Sequence, residues 1–292
     1  MLGWFDANVV SMIDGVAYGL LLFTLAVGLS LIFGMMDVLN LAHGTLYLIG
    51  AYAAYALSDG SWLGLLLALV VGVLVGVAGG GVLAALTQPL AQRGHLDQAL
   101  LTLGIAFIAS DIFSKIFGSE VLPISVPSQV AGSVTVFGQV YPVYRLLFIA
   151  IAGGLALMVY LLFERSSLGA LVRATVADRD MVRASGVDTR VVMFGVFAFG
   201  AALAALGGVL GAPILAPGPS VDETVLVLSL VVIVVGGLGS VTGALLGALL
   251  IGQVQTLGVA LMPVYAPFLI FGAMLLVLAW RPQGLVSLVG RS

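Results

Sequence analysis

Long apolar segments separated by short polar ones dominate the sequence, and this alternation limits most strongly what the chain can fold into. Segments of roughly 18 or more apolar residues are typical of helices that cross a membrane. The chain is 62% hydrophobic and 8% charged, whereas soluble domains carry about 25% charged residues. The strands of a membrane β-barrel alternate apolar and polar residues, and these segments do not. The sequence therefore predicts an all-α, polytopic bundle of transmembrane helices.

The residue content excludes several classes of protein. There is no cysteine, which excludes disulfide scaffolds and cysteine-based metal or redox sites. The two histidines, His43 and His95, are far apart in the sequence, so no metal site is predicted. A net charge of −3 and the lack of a basic tail argue against nucleic-acid binding. The N-terminal residues 1–12 contain no base, so we predict no cleavable signal peptide.

The apolar segments predict eight or nine spans. The uncertain one, 224–235, is shorter than the roughly 20 residues that a span needs. It is either a short, tilted or broken ninth span or a re-entrant segment beside eight spans. The predicted segments are 10–33, 35–57, 63–86, 99–117, 144–163, 191–210, 224–235, 244–261 and 268–280.

One charged segment, residues 164–190, lies between the fifth and sixth predicted spans. It contains five of the ten lysines and arginines and four of the thirteen acids. Because such a segment cannot lie in hydrocarbon, we expect it in water. Residues 174–185 predict a short helix that ends at Gly186, a residue suited to the left-handed cap position. A short helix held outside the membrane, with small residues on its surface, indicates a docking element.

The positive charges predict the orientation in the membrane. If residues 164–190 are cytoplasmic, strict alternation of nine spans places eight of the ten bases on the same side. The two exceptions, Lys115 and Arg145, flank the longest outer loop, 118–141. We therefore predict an external N-terminus and a cytoplasmic C-terminus.

A weak internal repeat relates residues 30–52 to residues 229–255. Both contain an apolar run, a glycine-containing break and a second apolar run that starts with small residues. In the predicted topology this repeat is parallel, and broken helices of this kind occur in transporters. Chance similarity between glycine-rich apolar segments is the alternative. The candidate helix-break glycines are Gly34, Gly236, Gly237, Gly239 and Gly243.

Four separated segments, 28–52, 173–188, 231–255 and the terminal RPQGL at 281–285, resemble the LivH-type permease family of branched-chain amino-acid ABC importers. The resemblance covers nearly the whole chain and implies one permease domain over residues 1–292, in a bacterial or archaeal cytoplasmic membrane. It also implies a homologous LivM-like permease, two cytoplasmic LivG- and LivF-like ATPases, and a periplasmic or lipid-anchored binding protein as partners.

The same resemblance implies that the segment 164–190 couples the permease to an ATPase. The chain has no G-x-x-x-x-G-K-[ST] loop, and its only lysine is Lys115. No cofactor is therefore predicted in this chain, and the partner ATPases would bind Mg-ATP. The residues predicted to lie at the coupling surface are Arg173, Ala174, Ala177, Asp178, Arg183, Ala184 and Gly186.

Polar residues inside spans are candidates for a translocation path, because a polar group in lipid costs a few kcal/mol. The main cluster, at the start of the second span, comprises Asp37, Asn40, His43 and Thr45. The alternative is that these side chains satisfy one another and only pack helices.

Two further pairs of charged residues have alternative interpretations. Asp111 and Lys115, four residues apart, predict an ion pair on the fourth span, with a gate or a substrate contact as the alternative. Asp222 and Glu223 suit a helix N-terminus, and a contact with the binding protein is the alternative.

These features favour a permease subunit of an ATP-driven importer for branched-chain or other hydrophobic amino acids, and they do not indicate an enzyme. A urea or short-amide permease of the same family is the alternative within transport. A stand-alone channel or secondary carrier requires an ion-coupling acid deep in a span, for which Asp14 is the only candidate.

Overall fold

The structure, a computed structural model, describes residues 2–36, 40–92 and 95–286. It is mostly helical, and six helices are long and apolar enough to cross a membrane, which confirms a polytopic helical membrane protein. The helices are α1 (Leu2–Met36), α2 (His43–Leu57), α3 (Trp62–Thr87), α4 (His95–Phe117), α5 (Val143–Tyr160), α6 (Ser167–Ala177), α7 (Arg179–Ala184), α8 (Thr189–Gly211), α9 (Val221–Gly236), α10 (Val241–Leu261) and α11 (Ala266–Trp280). A 3-10 turn (Gln88–Gln92) follows α3, and a π-helical turn (Leu161–Arg165) follows α5.

Helix α1 forms the centre of the bundle. In its most apolar stretch 83% of the residues are buried, against 11% in α4. It packs against α5, α8, α9 and α10. The side chains of α4 are therefore directed mostly away from the rest of the chain, toward lipid or another subunit.

Small residues bring α1 and α10 into backbone contact. Gly15 and Gly19 on α1 face Ala248 and Gly252 on α10, and a Cβ on Gly252 would lie 2.5 Å from the carbonyl oxygen of Gly15. Small residues four positions apart are a recurrent means of packing membrane helices, because van der Waals contact replaces the hydrophobic effect in lipid.

The glycines of α3 act in the same way against α8. Cβ atoms on Gly72, Gly76 and Gly80 would collide with Val209, Ala205 and Ala201 respectively. This spacing of four residues keeps the three glycines on one face of the helix. The glycine-rich helix α3 therefore provides a close contact with α8.

The loops collect at two opposite ends of the bundle. At the hairpin end, which comprises residues 58–61, 118–142, 212–220 and 262–265, Leu122 N–H donates to Pro217 and Ser128 N–H donates to Gly60. At the α6 end, which comprises residues 161–188, 237–240 and 281–286, Leu285 N–H donates to the carbonyl of Val235 at the end of α9. The chain thus crosses repeatedly from one end to the other.

Three helices of the bundle are shorter than a typical span. They are α2 with 15 residues, α9 with 16 and α11 with 15. The start of α9 follows Gly218, which lies beside Val121 at the hairpin end, and its last residue, Gly236, accepts from Val286 N–H at the α6 end. The uncertain predicted segment 224–235 is therefore part of a short helix that connects the two ends.

The structure adds one local feature to the sequence predictions and corrects another. The sequence predicts 118–141 as the longest outer loop, and in the structure this region contains an antiparallel hairpin of β1 (Ser133–Val136) and β2 (Gln139–Pro142). The turn between the strands has positive φ at Phe137 and Gly138, the second of which suits glycine. The predicted single helix 174–185 is wrong, because α6 ends at Ala177 and α7 begins at Arg179.

Candidate functional site

The charged segment forms two short helices at the α6 end with a break at Asp178. The backbone of Asp178 is extended, and its Oδ1 accepts from the N–H groups of Asp180 (3.0 Å) and Met181 (2.9 Å). An aspartate in this N-cap role is worth about 1 kcal/mol to the helix that it starts. The cap therefore explains why the helix is interrupted here. Gly186, just after α7, has a φ of +87°.

All seven predicted coupling residues have exposed positions on this segment. Helix α7 has no buried residue, and Met181 on it is 70% exposed. Arg183 is held in place by a 2.9 Å hydrogen bond from its Nε to Thr189 Oγ1 at the start of α8. The seven residues are Arg173, Ala174, Ala177, Asp178, Arg183, Ala184 and Gly186.

Helix α6 is joined firmly to the end of α5. Arg173 Nη1 donates to the carbonyl oxygen of Phe163 in the π-helical turn. Gly169 packs so closely on the same peptide that an added Cβ would overlap Phe163 backbone atoms. A displacement of α6 must therefore move the end of α5 with it.

A cavity of about 330 Å³ separates α6 from the core at this end. Its walls include Val172 and Val176 of α6, Gly34 of α1, and Gly239 and Val241 around the start of α10. Helix α6 is thus attached to α5 and lies beside the junction of α1 and α10 with space between them.

The five candidate helix-break glycines lie at this junction. Gly34 is inside α1, which continues to Met36, and it faces Gly239 across a backbone contact. Gly237 and Gly239 have φ values of +105° and +75° and form the turn between α9 and α10. Gly236 and Gly243 are in helices and contact each other through their backbones. Gly239 N–H also donates to Ser30 Oγ at 3.1 Å.

The polar cluster at the start of α2 is buried inside the bundle. Asn40 and His43 are 0% exposed and Thr45 is 6% exposed, whereas Asp37 lies outside the described residues. His43 Nε2 lies 2.8 Å from the carbonyl oxygen of Leu25, eleven residues before the end of α1. Eleven residues of helix measure about 16 Å, so α2 begins deep within the bundle.

The contact with Leu25 determines the protonation of His43. Because a carbonyl only accepts, Nε2 must carry the proton, which leaves Nδ1 as an acceptor. Among the described residues, His43 Nδ1, Asn40 Nδ2 and Thr45 Oγ1 have no hydrogen-bond partner. The cluster does not satisfy itself within the described part of the chain, and the two sequence interpretations, path or packing, both stay open.

Replacing His43 with alanine distinguishes these interpretations. The change removes a buried hydrogen bond and leaves a void, so we expect a loss of about 2–4 kcal/mol in stability. Thermal unfolding of the purified variant measures this loss, and the Thr45→Ala variant, which removes less volume, is the control. A packing role predicts normal transport kinetics by the folded fraction, whereas a changed KM in that fraction supports a path role.

The two other pairs of charged residues lie in different environments. Lys115 Nζ and Asp111 Oδ2 form the predicted i,i+4 ion pair at 2.7 Å, with side chains 73% and 63% exposed. Asp222 is 6% exposed, and its backbone touches Gly44 at the start of α2. Glu223 is exposed. Among the described residues, no group of three or more His, Asp or Glu side chains could hold a metal ion.

The sequence analysis missed one charged pair at the hairpin end. Asp14 of α1 and Arg145 of α5 form an ion pair between atoms 2.5 Å apart. Tyr141 of β2 donates its hydroxyl proton to the second carboxylate oxygen of Asp14 at 2.8 Å. No local pattern relates residues 131 positions apart. The sequence analysis named the two residues separately, Asp14 as an ion-coupling candidate inside a span and Arg145 as a base beside the outer loop, and nothing in the sequence paired them.

Comparison with known proteins identifies this architecture. Residues 11–279 match the model of the branched-chain amino acid transport system / permease component family. The chain is 27% identical to the high-affinity branched-chain amino acid transport system permease protein BraD of Pseudomonas aeruginosa, with 94% of each chain covered.

Two further relatives are similar over most of the chain. The chain is 26% identical to the LivH permease protein of Escherichia coli, with 94% of each covered. It is also 26% identical to the probable branched-chain amino acid transport permease protein LivH of Methanocaldococcus jannaschii, covering 83% of this chain and 78% of the relative. No solved structure matches. The chain therefore belongs to the family of permease components of branched-chain amino-acid transport systems.

Proposed function

We propose that this protein is the membrane-spanning subunit of an ATP-driven importer for branched-chain or other hydrophobic amino acids. Its partners in this proposal are a second, homologous permease, two cytoplasmic ATPases that bind Mg-ATP, and an extracytoplasmic binding protein that delivers the substrate. The main support is the exposed α6–α7 segment, which is attached to a membrane helix through Arg173 and Phe163. Family membership supports the class of system.

In this mechanism, residues 164–190 transmit the movement of an ATPase to the membrane helices. Closure of the ATPases displaces α7 and α6, and the link between Arg173 and Phe163 carries that displacement to α5. The cavity of about 330 Å³ beside Gly34 and Gly239 gives α6 room to approach the α1–α10 junction. Rigid tilting of packed helices then opens the path first to one side of the membrane and afterwards to the other side.

The orientation is part of the proposal. The hairpin end faces the outside and receives the binding protein, and the α6 end faces the cytoplasm. The concentration of bases on residues 164–190 supports this direction. The whole of residues 1–292 then forms one permease domain, in a bacterial or archaeal cytoplasmic membrane.

Co-purification with a measurement of ATP hydrolysis tests the proposed function. We expect the tagged protein to bring down a second permease and two ATPases, and a leucine-loaded binding protein to stimulate their hydrolysis of ATP in lipid. Stimulation by a urea-loaded binding protein instead would replace the substrate and keep the architecture. A chain that purifies alone and still moves solute in liposomes would contradict the ABC assignment.

Crosslinking tests the docking surface separately, because the chain has no native cysteine. Cysteines introduced at Ala177 or Ala184 should trap an ATPase subunit and resist reagents applied from outside the cell. The control is Ala131→Cys, an exposed position at the hairpin end, which should react from outside and trap no ATPase. External labelling of Ala177→Cys would overturn both the docking surface and the orientation.

A further inference from the structure

A second cavity, of about 470 Å³, opens at the hairpin end of the bundle. Residues of α1, α5 and α10 and the segment after α8 line it. Its volume lies within the range of about 300–1,000 Å³ that is typical of small-molecule sites. Of its lining residues, the sequence analysis names Asp14 and Arg145 separately and includes Gln255 at the end of the repeat segment 229–255, but it does not place them at one site.

The wall of this cavity carries one negative and one positive side chain. The side chains of Asp14 and Arg145 are 26% and 33% exposed, so both charges are accessible although they are paired with each other. The Asp111–Lys115 pair differs, since it is mostly exposed on the surface of one helix. A partly buried pair that links two helices and faces a cavity has a geometry suited to a ligand with both charges.

Tyr141 keeps Asp14 oriented toward Arg145. Burial, together with the hydrogen bond to Asp14, raises the pKa of the Tyr141 hydroxyl above its usual value. The hydroxyl therefore remains a proton donor at physiological pH and occupies Oδ1 of Asp14. Oδ2 is the oxygen that faces Arg145, and it is available to exchange partners.

The remaining walls combine apolar and polar groups. Ile214 and Val259 present aliphatic side chains, and Thr256 presents a hydroxyl. Gln255 also lines the cavity, and its Oε1 is buried without a hydrogen-bond partner among the described residues. The aliphatic part of a ligand can pack on Ile214 and Val259. Its polar groups can then form hydrogen bonds with Thr256 and Gln255.

We propose that this cavity binds a free amino acid as a zwitterion with an aliphatic side chain, its ammonium on Asp14 and its carboxylate on Arg145. The proposal rests on the proposed import function and assigns the charged pair as a receiving site at the outer end of the path. Binding exchanges one ion pair for two, so neither side chain loses its counter-charge. The guanidinium of Arg145 matches a carboxylate in geometry. Urea carries no charge, so it can form hydrogen bonds with such a pair but gains no charge–charge attraction from it.

Ligand analogues test the charge requirement on the unaltered protein. The full chain in lipid nanodiscs is mixed with L-leucine, and binding is measured by saturation-transfer NMR. L-leucinamide lacks the carboxylate and 4-methylpentanoate lacks the ammonium, and we expect each to bind at least tenfold more weakly than L-leucine. Equal binding of either analogue, or binding of urea but not of leucine, overturns the proposal.

Variants locate the binding on the protein. Asp14→Asn and Arg145→Gln should each weaken leucine binding at least tenfold, and the Asp111→Asn, Lys115→Gln pair should leave it unchanged. The double exchange Asp14→Arg, Arg145→Asp restores the ion pair in reverse. A ligand that follows the reversed charges must turn its side chain away from Ile214 and Val259, so this variant should bind leucine at least tenfold more weakly. Full leucine binding by it would show that the charged pair does not orient the ligand and would overturn the proposal.

A labelling experiment does not depend on the charged variants folding. Val259 is 50% exposed on the cavity wall, and Val264 is 78% exposed outside it. Reaction of Val259→Cys with N-ethylmaleimide should block leucine binding. The same reaction of Val264→Cys should leave leucine binding intact. Unimpaired binding after labelling at 259 overturns the site. If the protein co-purifies with ATPases but does not bind leucine, only the proposed site is overturned. If it binds leucine but recruits no ATPase, only the import function is overturned.

Discussion

Replacing Gly252 with valine is expected to remove most of the folded protein. The added Cβ would lie 2.5 Å from backbone atoms of Gly15 and Gly19, where no flexible side chain can move aside. Overpacking of a close-packed interior costs about 1–3 kcal/mol when neighbouring groups can adjust, and here the helices themselves must separate. Because α10 packs against the central helix α1, we expect a loss of at least about 3 kcal/mol.

The measurement is the yield and apparent melting temperature of the detergent-solubilised variant, followed by fluorescence-detected gel filtration. A loss of this size corresponds to a shift of about 5 °C for a chain of this length. Gly272→Val on α11 is the matched control, because a Cβ there has nothing within 4 Å. Equal yields and melting temperatures for the two variants would show that the α1–α10 contact is not tight.

Replacing Arg173 with alanine is expected to uncouple transport from ATP hydrolysis. The side chain connects α6 to the carbonyl of Phe163 at the end of α5, and alanine removes that connection without touching the docking face of α7. The assembled transporter should therefore still hydrolyse ATP, whereas its uptake of L-leucine should fall at least about tenfold. Such a tenfold loss corresponds to about 1.4 kcal/mol in the activation free energy of transport.

Uptake and hydrolysis are measured on the same proteoliposomes, so that their ratio reports coupling. Arg190→Ala is the matched control, since Arg190 is exposed near the start of α8 and its side chain makes no hydrogen bond or ion pair with described residues. An equal loss of hydrolysis and uptake in Arg173→Ala would indicate failed assembly and contradict a transmitting role. Rescue by Arg173→Lys would support the single hydrogen bond as the essential contact.

Features that depend on neighbouring residues were predictable from the sequence. The helical membrane bundle follows from local apolar runs, and the Asp111–Lys115 pair follows from i,i+4 spacing. The left-handed φ of Gly186 follows from its place after a helical pattern. The glycine face of α3 is also visible as a spacing of four residues. In each case the physical cause lies within a few turns of one helix.

Features that depend on distant residues were not predictable. Asp14 meets Arg145 only because α1 and α5 pack side by side, and a single sequence carries no record of that contact. His43 bonds to a backbone carbonyl, which has no residue-type signature. The sequence does contain a signal for the break at Asp178, because an aspartate can cap a new helix. The residues around it also fit one continuous helix, which the sequence analysis therefore predicted.

The short helix α9 has a consequence for how the protein enters the membrane during synthesis. Its 16 residues measure about 24 Å, less than the roughly 30 Å of the hydrocarbon layer. The carbonyls of Val235 and Gly236 at its end accept from the N–H groups of Leu285 and Val286, which leave the ribosome some fifty residues later. When α9 has just been synthesised, it is therefore too short to be stable alone. The carbonyls at its end also still lack the N–H groups that will donate to them. For this reason we expect the segment from α9 to residue 286, about a quarter of the chain, to fold as one unit during biogenesis.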